Sequence, residues 1–100
     1  MRITNQFRKR QAMVYDLSCE EIRLTIEVTA RENDDQLGEW NVEAHARQTQ
    51  EQASIDAPGA TRSDALRAVA RSWTAKQGSH GFPMLDWEGV AEALLAVRAI

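Results

Sequence analysis

A chain of 100 residues with 43% hydrophobic and 27% charged side chains has room for one hydrophobic core, so a single domain over residues 1–100 is expected. Twelve Lys and Arg against fifteen Asp and Glu give a net charge of −3, which lacks the cationic excess by which nucleic-acid coats attract phosphate. One cysteine, Cys19, can form no internal disulfide, and no run of about 18 apolar residues occurs, so a reducing, cytoplasmic setting without a membrane span is expected.

Along the chain, the basic cluster Arg8, Lys9 and Arg10 is followed by only a short apolar stretch, residues 12–15, too short for a signal peptide. Residues 1–12 read as a flexible basic arm. Met13, Tyr15 and Leu17 alternate as in a strand, while Ser18 before Glu20 and Glu21 equally opens a helical turn, and both readings stand. From residue 22 to residue 30, Ile22, Leu24, Ile26, Val28 and Ala30 alternate strictly with polar residues, the pattern of a strand with one buried face. Trp40, Val42, Ala44 and Ala46 repeat that pattern after a polar stretch, residues 32–38, whose Asn33, Asp34, Asp35 and Gly38 suit a turn. The two strands are expected to pair antiparallel, with Arg23, Glu27 and Arg31 set against the opposite charges of Glu43 and Arg47. Ala53, Ile55 and Ala57 alternate more weakly and run into Pro58 and Gly59, which predicts a short edge strand.

The second half is helical. Thr61 is placed to cap a helix with Leu66, Val69, Ala70 and Trp73 on its buried face, ending near Gly78. Asp86 is placed to cap a second helix, stapled by Leu85 and Val90, that runs to the C-terminus with Trp87, Val90, Ala91, Leu94 and Val97 facing inward. The expected fold is α+β in two layers: a small antiparallel sheet of three or four strands packed against two C-terminal helices.

Chemistry-bearing residues are sparse. His45 on a strand, His80 in a glycine-flanked loop and Cys19 are far apart in sequence, and no nucleophile turn accompanies them, so no enzyme and no catalytic residues are expected. No metal-ligand spacing occurs, and Asn33, Asp34 and Asp35 lack the pattern of a calcium loop, so no metal and no cofactor are expected. Gly59, Ala60 and Thr61 are explained by the helix cap without an anion.

Two partner surfaces compete. On the last helix the small residues Gly89, Ala93 and Ala96, with Ile100, are expected to receive a protein partner or a second copy of the chain as a homodimer. The alternative is a nucleic-acid-binding accessory protein using Arg8, Lys9 and Arg10 together with Arg67 and Arg71, one turn apart on the first helix.

Gly38, Glu39 and Trp40 before a strand, then Ala57, Pro58 and Gly59, then Thr61, Asp64, Ala65 and Leu66 opening a helix, resemble the HicB-type antitoxin family over residues 22–76. The resemblance implies a partial ribonuclease H fold and a small regulatory module that neutralises a protein partner.

Overall fold

The computed structural model describes residues 1–33, 36–79 and 81–100, with the side chains of residues 31–33 and 36–38 left aside. The chain folds as five strands followed by two helices: β1 (Arg2–Lys9), β2 (Ala12–Cys19), β3 (Ile22–Asn33), β4 (Gln36–Gln48), β5 (Glu51–Gly59), α1 (Arg62–Lys76) and α2 (Trp87–Ala96). The strands form one antiparallel sheet in chain order, β1-β2-β3-β4-β5, with both helices over one face. The α+β two-layer architecture is therefore as expected, with more strands than the alternation marks.

The segment expected as a basic arm is β1, paired with β2 from Lys9↔Ala12 to Arg2↔Ser18. A strand with one neighbour needs backbone partners more than buried side chains, and in β1 only Ile3 is partly buried. A bulge between Ile3 and Asn5 sends Ile3 to the helix side and Phe7 to the opposite face. The ambiguous segment is β2, and the polar stretch expected as a turn is mostly strand, because ladder pairing continues to Asn33↔Gln36. Of the residues placed in that turn, Asp34 and Asp35 lie outside the described residues.

Met13, Tyr15 and Leu17 share the helix-facing side with Val28, Ile26 and Leu24, and the row continues to Val42, Ala44 and Ala46. This is the core face. Leu24, Ile26, Val28 and Val42 are buried on it, while Ile22 and Trp40 pack at its margin half-buried. α1 lies on β4 and β5, where Ala44, Ala46, Ala53 and Ala57 leave space for Ala65, Leu66 and Val69. Thr61 caps α1 by accepting from the Asp64 amide at 3.0 Å, and Arg62 stacks on Trp40, 4.6 Å from the ring centroid.

α2 begins as expected, with Asp86 Oδ1 accepting from the Gly89 amide at 3.1 Å, but it stops at Ala96. The Arg98 amide donates to Leu95 O and the Ala99 amide to Leu94 O, with Arg98 at φ +58. These two bonds form a Schellman stop. The reversal buries Ala99 and leaves Val97, expected to face inward, 41% exposed.

Candidate functional site

With the helices on one side, the other face of the sheet is open, and the register decides what stands on it. Three rows of directly opposed residues cross it. One runs Phe7, Val14, Glu27, Glu43, Asp56; the next Asn5, Asp16, Thr25, His45, Ser54; the third Arg2, Ser18, Arg23, Arg47, Gln52. The expected opposition of unlike charges is overturned: Glu27 faces Glu43, Glu43 faces Asp56, and Arg23 faces Arg47. The cause is the β3–β4 turn. A slip of four residues would keep the core-facing alternation and bring Arg23 opposite Glu43, but the pairing of Asn33 with Gln36 and the irregularity between Arg31 and Asn33 go with the other alignment.

None of these five charged residues has an ion-pair partner among the described residues, where Asp64 and Arg67 form a pair at 3.4 Å. Like charges directly opposed on a sheet destabilise it. Glu43, between two carboxylates, is the most affected. Glu43→Gln is expected to raise stability by about 0.5 kcal/mol at low salt in dilute solution, the gain shrinking as salt screens the row; urea titrations at two ionic strengths read it.

Between the basic and central rows lies a cleft of about 580 Å³ lined by Thr4, Asp16, Ser18, Arg23, Thr25, His45 and Arg47, among others. The Thr25 hydroxyl donates to Asp16 Oδ1 at 2.9 Å, which holds the half-buried carboxylate within its own row. Cys19 and His45 stand on opposite faces of the sheet, since Cys19 follows Leu17 on the core side and His45 opposes Thr25 on the open side. His80 lies outside the described residues. Among the described residues no three His, Cys, Asp or Glu side chains are grouped to hold a metal ion.

The two expected partner surfaces look different in three dimensions. Gly89 belongs to the cap: a Cβ there would lie 2.5 Å from Asp86 Oδ2. Ala93 and Ile100 pack against the core, so only Ala96 of the expected row is exposed, beside Leu95 at 64% exposure. The basic set is divided. Arg8 opposes Met13 on the helix side, Lys9 opposes Ala12 on the open side, and Arg10 sits in the hairpin turn at φ +55. Arg67 and Arg71 are exposed on α1, over β4 and β5 and away from the β1 edge.

No family model, curated protein or solved structure matches the chain. Among the described residues no helix is long and apolar enough to cross a membrane. Sequence reasoning missed the open face because its charges are unremarkable strand by strand, and become rows only through the register.

Proposed function

We propose that the protein is a non-catalytic interaction module that docks a protein partner on the open face of its sheet, in the reducing cytoplasm where the lone thiol of Cys19 is stable. The observation that carries this reading is the pair of like-charge rows, Glu27, Glu43 and Asp56 against Arg2, Arg23 and Arg47, with no ion pair to any of them among the described residues. A surface that costs the isolated domain stability is favourable where a partner supplies the opposite charges. Partner neutralisation of the kind implied by the resemblance to HicB-type antitoxins is one form of this activity. Nucleic-acid binding is the weaker reading, because its five basic residues are spread over both faces and opposite edges of the sheet.

A photo-crosslinking residue in place of Ser54, which is exposed on the open face, is expected to capture a protein in living cells, whereas the same residue in place of Arg71 on α1 captures none. Capture from the Arg71 position alone, or of RNA or DNA from either, overturns the reading.

A further inference from the structure

The rows on the open face have a symmetry that names an occupant. Residues of adjacent rows are two positions apart along β2 to β5, about 6.6 Å, with one extra residue at the β1 bulge, so the acidic and basic rows stand about 13 Å apart. The row of Asp16, Thr25, His45 and Ser54 lies midway between them. A twofold axis laid along this central row turns the face over and exchanges the outer rows, so acid meets base across the interface.

We infer that the open face pairs with the open face of a second copy of this chain about that axis. The inference rests on the sheet-face reading above and specifies its partner. Because the axis keeps each strand over its own counterpart, Glu27 meets Arg23 of the second copy and Glu43 meets Arg47 of the second copy. The twofold doubles each contact to give four ion pairs. Gln52 meets Asp56 of the second copy, and Arg2 stands over Phe7 of the second copy, a ring left 44% exposed in the single chain. Sheets packed face to face sit about 10 Å apart, a gap that an arginine and a glutamate reaching toward each other span. On the axis, Thr25 and His45 face their own copies, and the Asp16 carboxylate is engaged by the Thr25 hydroxyl. The arrangement is isologous and closes at two. A twofold along the strands would instead set each charged row against itself, so the charges select one orientation.

Four strand gaps of about 4.8 Å by two row gaps of about 6.6 Å give a patch well under the roughly 800 Å² per partner of standard interfaces. Together with its charged character this makes the dimer a micromolar one, weakened about tenfold between 50 and 500 mM salt.

Sedimentation equilibrium of the full chain tests this with designed charge patterns. The wild type is expected to dimerise at low salt. Arg23→Glu with Arg47→Glu makes both rows acidic, and Glu27→Arg with Glu43→Arg makes both basic; each double variant is expected to be monomeric, and their equimolar mixture dimeric. The quadruple variant carrying all four changes reverses the polarity, and is expected to dimerise with itself but not to exchange with wild type. Thermal melts show whether each variant is folded, and the salt dependence of the wild type needs no variant.

A wild type that stays monomeric at low salt near 500 µM, about a hundredfold above a micromolar-range constant, overturns the inference. So do double variants that remain dimeric, or a quadruple variant that mixes freely with wild type. If the wild type is monomeric while crosslinking from Ser54 captures another protein, self-pairing falls and the sheet-face reading stands. If the double variants stay dimeric and Ser54 captures nothing, both fall.

Discussion

Gly59→Ala is expected to lower stability by about 3 kcal/mol, the upper end for overpacking, and to move the melting temperature down by roughly 15 °C for a domain of this size. Gly59 closes β5 opposite Trp40, at the point where the chain turns into α1. A methyl group there would lie 2.7 Å from Ala65 Cα and 2.8 Å from the Asp64 carbonyl carbon, and closer still to the Ala65 nitrogen. All three atoms belong to the helix backbone, so no rotamer change relieves the contact. Either α1 lifts from the sheet, opening space around Ala65, Leu66 and Val69, or β5 leaves its ladder with β4. The requirement is steric. Gly78 supplies the contrast: its φ of +80 lies in the left-handed region and nothing would meet a Cβ there within 4 Å. Gly78→Ala is therefore expected to cost only the conformational term, about 1 kcal/mol. Equal losses for the two substitutions in urea titrations would contradict the close approach of α1 to β5.

That close approach could be read only in part from the sequence. Thr61, Asp86, Leu66, Val69, Trp73, Val90 and Leu94 were legible because caps and 3.6-residue periodicity are local, and all hold their expected places. β3, β4 and β5 were legible because one face of each is core and the other polar. β2 was ambiguous because Ala12 and Val14, 5% exposed, are buried on the open side while Tyr15 and Leu17 are buried on the other. Burial on both sides erases the alternation. β1 gave no signal, since an edge strand can be held by its backbone with almost no buried side chain. Its hairpin turn also lacks the usual Asn-Gly or Asp-Gly marker: Arg10, Glu20 and Thr49 take φ between +52 and +55 at the β1–β2, β2–β3 and β4–β5 turns. The charge rows were out of reach for a deeper reason. Hydrophobic patterning fixes which face a residue occupies but is indifferent to any even slip, and a slip of four separates Arg23 opposite Arg47 from Arg23 opposite Glu43.

Trp73→Ala is expected to be the most damaging of these substitutions, removing about 4 kcal/mol from a domain whose total stability is of order 5 to 15 kcal/mol. The indole is fully buried, at 0% exposure. It meets Phe82 edge-on, with centroids 4.8 Å apart at 75°, and Trp87 at 5.7 Å and 65°, and its N–H donates to Pro83 O at 2.9 Å. One side chain of α1 thus holds the connection and the first turn of α2. Its loss is expected to release α2 before the sheet, because β1 to β5 are joined by their own ladders. Hydrogen exchange would show early loss of protection in α2 while β3 and β4 stay protected. The indole nitrogens allow a finer comparison. Trp73→Phe keeps most of the ring but leaves Pro83 O without its donor, a further loss of about 1 to 2 kcal/mol. Trp87 Nε1 is buried with no partner among the described residues, so Trp87→Phe removes an unpaired donor and is expected to cost less than Trp73→Phe despite the same change in volume. The reverse order in urea titrations would mean that the Trp73–Pro83 hydrogen bond contributes nothing to docking α2.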